Sequence, residues 1–185
     1  MNSYYEINIA GLTRKLPLCK VSDDLYIAAF IMFGDVEMTV RCAEELLKIA
    51  PEYDVMITAE SKGIPLLYEM ARQAGAKDYI VARKGPKLYM QNVTYTEVNS
   101  ITTENRQVLC IGEKEANAIR GKRVLIIDDV ISTGESLAAM EKLIERVGGT
   151  IVGEMAVLAE GDAIGRTDIQ YLAPLPLFNA DGTTK

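Results

Sequence analysis

The sequence predicts an α/β fold built on a central parallel sheet, preceded by a region of different texture at residues 1–35. Two observations carry this prediction. From residue 36 onward, segments with helical spacing of apolar residues alternate with short apolar runs, the pattern of a parallel α/β sheet. Residues 1–35 contain no long periodic segment. We therefore divide the chain into an N-terminal region, residues 1–35, and a core, residues 36–185.

The first half of the core is predicted to alternate helix and strand. A helix is expected from Asp35, a good N-cap, to about Ala50, before Pro51. A buried strand follows over 54–59, and a tight turn leads into a helix that has Pro65 in its first turn. A second short strand, over 79–82, runs into a basic segment.

The second half contains the strongest strand signal, the uninterrupted apolar run at 124–127. Such a run is typical of a central parallel strand that is buried on both faces. A helix should then open at Thr133-Gly134, with further strands over 150–158 and 169–172. Residues 88–112 break this rhythm, and we expect a β-ribbon or a mobile loop there that closes over a functional site.

Composition excludes several classes of function. The chain has no histidine, so a Ser-His-Asp triad, a Cys-His pair and a His-based zinc site are impossible. Its formal net charge of −6 argues against non-specific nucleic-acid binding. Its three separated cysteines form no CxxC pair, and no signal sequence or membrane-length apolar run occurs. We expect a cytoplasmic protein that binds neither nucleic acid nor membranes and has no resident metal.

Residues 124–136 carry the strongest functional signal. Asp128 and Asp129 end the predicted strand at the carboxyl edge of the sheet, where open α/β folds bind ligands. The Ser-Thr-Gly loop at 132–134 offers backbone N–H groups, hydroxyls and the positive end of a helix dipole, which together suit a phosphate. A capping box would explain the loop but not the paired acids. The segment therefore indicates a site for a phosphate-bearing sugar, with the acids placed for ribose hydroxyls or a hydrated Mg²⁺.

This segment resembles the phosphoribosyl-pyrophosphate (PRPP) motif of the type I phosphoribosyltransferase family. Two other segments resemble the adenine phosphoribosyltransferases within it. Glu60-Ser61-Lys62-Gly63 is similar to their pyrophosphate loop, and residues 83–88 are similar to their Arg-Lys-x-x-Lys-Leu segment. Together the three segments place residues 36–160 on the core of the family. The resemblance implies the family fold, a parallel sheet of about five strands with helices on both faces, with residues 1–35 forming a small N-terminal hood over the base.

The resemblance also implies the roles of individual residues. The residues implied in catalysis are Asp128, Asp129 and Glu97. Those implied in binding the 5-phosphate are Ser132, Thr133, Gly134, Glu135 and Ser136. Those implied in binding pyrophosphate are Ser61, Lys62, Arg83, Lys84 and Lys87. In the hood, which should form the base site, the candidates are Lys20 and Phe30.

The activity that the resemblance implies is transfer of ribose 5-phosphate from PRPP to adenine, giving AMP and pyrophosphate in purine salvage. Mg²⁺ would be carried with PRPP, and the family commonly forms homodimers. Two alternatives stay open: a transferase for xanthine or another 6-oxopurine, and a PRPP-binding regulator without catalysis. The choice of base distinguishes the first alternative from adenine transfer, because a site built for the hydrogen-bonding pattern of one base leaves its polar groups unpaired with the other base.

Overall fold

The computed structural model describes residues 4–98 and 107–185. The hood contains three strands: β1 (Tyr4–Ile9), β2 (Leu12–Lys20) and β3 (Tyr26–Ala28). The first part of the core contains α1 (Val36–Ile49), β4 (Val55–Ala59), α2 (Ile64–Gln73), β5 (Ile80–Ala82), β6 (Thr94–Val98) and β7 (Gln107–Ile111). The second part contains α3 (Glu113–Ile119), β8 (Arg123–Ile131), α4 (Glu135–Arg146), β9 (Thr150–Glu160) and β10 (Gln170–Leu175).

The core is a five-stranded parallel sheet in the order β10-β9-β8-β4-β5. Successive side chains of a strand point to opposite faces. Accordingly, Val124 and Ile126 of β8 pack in one hydrophobic cluster with α3 and α4, whereas Leu125 and Ile127 pack in the other with α1 and α2. This arrangement confirms the predicted α/β fold with helices on both faces.

Asp35 joins the hood to the core. As predicted, its side chain caps α1, with Oδ1 accepting the backbone N–H of Met38 at 3.0 Å. Its other oxygen lies 2.7 Å from Nε of Arg14 on β2. The hydrogen bond from the Arg14 guanidinium lowers the pKa of Asp35, so the carboxylate is charged and fixes β2 against the start of α1.

The hood is a three-stranded antiparallel sheet that shares its hydrophobic cluster with α1 and α2. A segment after β10 extends it. Tyr26 and Phe178 exchange two backbone hydrogen bonds of 2.9 Å, and the rings of Tyr5 and Phe178 lie 5.0 Å apart between centroids. The hood is therefore completed by two distant parts of the chain, its own three strands and the segment after β10.

Residues 88–112 contain an antiparallel ribbon, β6 paired with β7, which is one of the two forms expected there. The part of this segment from 99 to 106 lies outside the described residues, and its closure over the site remains a prediction. Helix α3, which follows the ribbon directly, was not predicted from the sequence. Within the described ranges, none of the helices has the length and hydrophobicity needed to cross a bilayer.

Candidate active site

Two adjoining cavities open at the carboxyl edge of the sheet, beside the ends of β4 and β8. One, of about 210 Å³, is bordered by the turn at 60–62, by Lys84 and by Asp129. The other, of about 120 Å³, is bordered mainly by the loop at 131–134. Asp128, Val130 and Ser136 border both, so the two cavities meet at the strand that carries the paired acids.

Asp128 and Asp129 lie inside β8, which continues to Ile131 instead of ending at the acids as the sequence suggested. Asp128 Oδ1 accepts the backbone N–H of Asp129 at 2.8 Å. Burial, followed by the negative charge of Asp129, raises the pKa of Asp128 well above its ordinary value.

Asp129 is the more buried acid, with 4% of its surface exposed. Its Oδ2 accepts no hydrogen bond from the described residues, and Lys62 Nζ lies 3.9 Å away. A buried carboxylate oxygen with so little compensation favours a ligand hydroxyl or a cation beside it.

The turn after β4 approaches β8 closely because residue 63 is glycine. A Cβ atom on Gly63 would lie 2.3 Å from Thr58 Oγ1 and 3.3 Å from Asp128 Oδ1. The backbone of Gly63 has an ordinary φ of −72°, so the requirement is one of space. This close approach places Lys62 beside the acids.

Glu60 connects the turn to the basic segment that follows β5. Its Oε2 accepts the backbone N–H of Lys84 at 3.0 Å, and its Oε1 lies 3.5 Å from Nη2 of Arg83. The hydrogen bond from Lys84, with the charges of nearby cations, lowers the pKa of Glu60. Glu60 therefore holds the basic segment against the larger of the two cavities, a role that its place in the motif did not reveal.

The loop before α4 forms the smaller cavity. Of the five residues predicted to hold a 5-phosphate, four border it: Ser132, Thr133, Gly134 and Ser136. Glu135 does not, although its backbone N–H donates to Thr133 Oγ1 at 3.4 Å. Gly134 has φ of +80°, which glycine adopts without strain, and α4 follows directly, so N–H groups and a helix N-terminus meet at this loop.

The predicted pyrophosphate residues divide into two groups. Ser61, Lys62 and Lys84 border the 210 Å³ cavity. Arg83 instead borders a separate cavity of about 630 Å³ on the β5 side, and Lys87 borders neither active-site cavity. Arg83 nevertheless pairs with Glu60, which borders the 210 Å³ cavity.

Glu97 is not brought to the acids. It lies on β6 beside a cavity of about 310 Å³ that is also bordered by Lys142 and Arg146 of α4. Arg146, in the last turn of α4, donates from Nη1 to the carbonyl oxygen of Tyr95 at 2.5 Å. The ribbon is thus held at the carboxyl-terminal end of α4, whereas the phosphate loop lies at its amino-terminal end.

The two hood candidates also lie away from the described cavities. Lys20 is exposed and its Nζ pairs with Asp23 Oδ1 at 2.7 Å. Phe30 is only 6% exposed and packs in the cluster shared by the hood, α1 and α2. The ring of Phe30 thus lies in the hydrophobic core instead of facing a cavity, because burial of apolar surface stabilises the fold.

Sequence reasoning missed Glu160, which ends β9 next to the phosphate loop. Burial raises the pKa of Glu160 above its ordinary value, and the nearby Ser132 hydroxyl and Lys62 charge oppose this rise. The signal was available, since an acid at the carboxyl end of a parallel strand is the feature that singled out Asp128 and Asp129.

A family model described as phosphoribosyl transferase domain matches residues 40–172. An adenine phosphoribosyltransferase from Bifidobacterium longum subsp. infantis is 34% identical over 178 residues, covering 91% of this chain and 89% of the relative. One from Mycobacterium tuberculosis is 28% identical over 174 residues, covering 92% of this chain and 77% of the relative. The chain spans 58% of the length of the matching adenine phosphoribosyltransferases from Bifidobacterium longum strains DJO10A and NCC 2705.

Solved structures share the fold at low sequence identity. An adenine phosphoribosyltransferase from Rhodothermus marinus superimposes with a TM-score of 0.65 at 23% identity, covering 94% of both chains. One from Saccharomyces cerevisiae gives a TM-score of 0.63 at 19% identity, covering 92% of both chains. Taken with the match over residues 40–172, the sheet, the phosphate loop and the paired acids show that this chain belongs to the phosphoribosyltransferase family.

Proposed function

We propose that this protein transfers ribose 5-phosphate from PRPP to adenine, producing AMP and pyrophosphate. One observation carries the proposal: two cavities meet at Asp128, one bordered by a phosphate loop and the other by two lysines. PRPP has a phosphate at one end of its ribose and a pyrophosphate at the other. The spacing of these cavities on either side of the acids supports binding of both ends at once.

Each group in the two cavities has a role in the proposed reaction. The loop at 132–136 binds the 5-phosphate, Lys62 and Lys84 bind pyrophosphate, and the paired acids accept hydrogen bonds from the ribose hydroxyls. The C1′–oxygen bond breaks and its electron pair leaves with pyrophosphate, while N9 of adenine bonds to C1′ and its proton passes to the released pyrophosphate. The transition state resembles an oxocarbenium ion, and the carboxylates of Asp128 and Asp129 stabilise its positive charge.

We propose that PRPP enters as its magnesium complex. Carboxylate oxygens are hard ligands of the kind that Mg²⁺ prefers, and Asp129 Oδ2 is buried without a hydrogen-bond partner in the described part of the chain. These groups fit a hydrated cation that arrives with the substrate. The charge of the cation makes pyrophosphate a better leaving group.

Adenine is favoured over other bases because the adenine phosphoribosyltransferases from Bifidobacterium longum subsp. infantis and Mycobacterium tuberculosis each match over nine-tenths of this chain. Transfer to xanthine or another 6-oxopurine is the alternative, and PRPP binding without catalysis is a further one.

We also propose that the protein works in the cytoplasm, in keeping with its three free cysteines, and as a homodimer. Exposed Ile31, Phe33 and Val36, grouped where the hood meets α1, support self-association.

Release of pyrophosphate from PRPP and Mg²⁺ should be measured with adenine, hypoxanthine, guanine and xanthine in turn. We expect adenine to give the highest kcat/KM and AMP to accumulate in equal amount with pyrophosphate. Turnover of a 6-oxopurine without turnover of adenine would contradict the base assignment but not the transferase. PRPP binding with no turnover of any base would favour the regulator.

A further inference from the structure

Arg166 packs against the phosphate loop at Gly134. A Cβ atom built on Gly134 would lie 2.8 Å from Nη1 of Arg166, so the guanidinium occupies the space that a side chain would need. Arg166 is not among the residues that border the 120 Å³ cavity, which the loop and β8 enclose. Arg166 therefore contacts the loop from outside the cavity.

The guanidinium is itself held in place. Its Nε and Nη2 donate to the two carboxylate oxygens of Asp168 at 2.9 and 2.6 Å, a bidentate arrangement that fixes the plane of the group. The backbone N–H of Arg166 donates to the carbonyl oxygen of Ala163 at 3.3 Å, and that of Gly165 donates to the hydroxyl of Tyr171 at 3.1 Å. A rigid planar group thus lies behind the loop, with Nη1 nearest to it.

The loop has few internal contacts of its own. The Glu135 N–H bonds to Thr133 Oγ1 at the long distance of 3.4 Å, and the carbonyl of Gly134 accepts the N–H of Ala138 within α4 at 2.8 Å. Gly134 also has the widest choice of backbone conformations of any residue in the loop. Tight phosphate binding requires N–H groups that already point at the ligand, so a loop that reorients binds less tightly.

We infer that the Arg166–Asp168 pair is a positioning device for the 5-phosphate loop and acts by holding Gly134 in place. The inference rests on the proposed function, since that function assigns the loop to the 5-phosphate of PRPP. It gives Gly134 a second reason to be glycine, because any side chain there meets Arg166 in addition to the unfavourable φ of +80°. Arg166 is a positioning residue, because it shapes the loop without bordering the cavity.

Ribose 5-phosphate and inorganic pyrophosphate test the inference separately, because each reproduces one end of PRPP. We expect Arg166→Ala and Asp168→Ala to raise the Kd for ribose 5-phosphate about tenfold and leave the Kd for pyrophosphate unchanged. The KM for PRPP should rise more than kcat falls. Asp168 is 62% exposed on its side chain, so its replacement leaves the fold intact. Asp54→Ala is the matched control, because it removes an Arg–Asp pair, with Arg123, at the opposite edge of the sheet.

A double variant tests the contact itself. Gly134→Ala should weaken ribose 5-phosphate binding several-fold less in the Arg166→Ala background than in the wild-type protein, because the collision is then absent. Additive effects would overturn the inference, as would equal weakening of both probes or an unchanged Kd in both single variants. If the variants weaken ribose 5-phosphate binding as expected, but the wild-type protein transfers ribose 5-phosphate to no purine, the proposed function fails and the positioning role stands.

Discussion

Replacing Gly63 with alanine tests how closely the pyrophosphate turn must approach β8. The new methyl group would lie 2.3 Å from Thr58 Oγ1, roughly 1 Å short of van der Waals contact. Asp128 Oδ1, at 3.3 Å, must also give way. Thr58 is fully buried, so the turn has to move instead, at a cost of about 1–3 kcal/mol. Such a movement of the turn displaces Lys62, the residue before Gly63, from the acids. We expect the KM for PRPP to rise about tenfold as a result.

Urea unfolding and steady-state kinetics measure the two effects. Gly85→Ala is the matched control, because no atom lies within 4 Å of a Cβ built there. Combining Gly63→Ala with Thr58→Ala removes the nearest clashing atom and should recover part of the lost PRPP affinity. A Gly63→Ala protein with the stability and KM of the Gly85→Ala control would refute the steric reasoning.

Replacing Asp128 and Asp129 together with asparagine should abolish transfer while circular dichroism stays unchanged, because each lost charge-assisted contact is worth about 1.5–3 kcal/mol. Turnover by the folded variant would contradict the assignment. Lys62→Ala should weaken binding of PRPP but not of ribose 5-phosphate, since Lys62 borders only the larger cavity; calorimetry showing equal losses would argue against a pyrophosphate role. Burial and a hydrogen bond with Glu141 raise the pKa of Glu154 to about 7 from an ordinary 4.5. The folded state therefore favours the protonated form, so stability falls as the pH rises from about 4.5 to about 7. Glu154→Gln should flatten that slope in urea unfolding, and an unchanged slope would exclude Glu154 as its source.

The elements that could be predicted from the sequence are those whose residues contact residues close by in the chain, or whose apolar residues are buried in the central sheet. The apolar run at 124–127 allows only a strand covered on both faces, and the carboxylate of Asp35 caps a helix by contact with residues three positions away. The loop before α4 was recognisable as a cavity-forming segment for the same reason, because its residues are consecutive. The acid pair was placed correctly at the sheet edge, although β8 runs past it.

The parts that could not be predicted depend on contacts between distant segments. Glu97 lies away from the acids because Arg146, some fifty positions later, holds the ribbon. Phe30 packs inward because the hood shares a cluster with α1 and α2, which local spacing cannot show. Arg166 meets Gly134 only after β9 has crossed the sheet. A basic or aromatic residue in the sequence therefore suggests a type of contact but not its partner.

The pairing of Tyr26 with Phe178 joins positions about 150 residues apart, and this separation sets the order in which the molecule can be completed. The three hood strands leave the ribosome before the central sheet, but the segment that completes them is synthesised after every strand of that sheet. Until then the apolar side chains of Tyr5 and Ile7 lack the ring of Phe178 and the surface beneath it. The hood therefore reaches its native packing only after the central sheet has been synthesised, and until then part of its apolar surface stays exposed on the nascent chain.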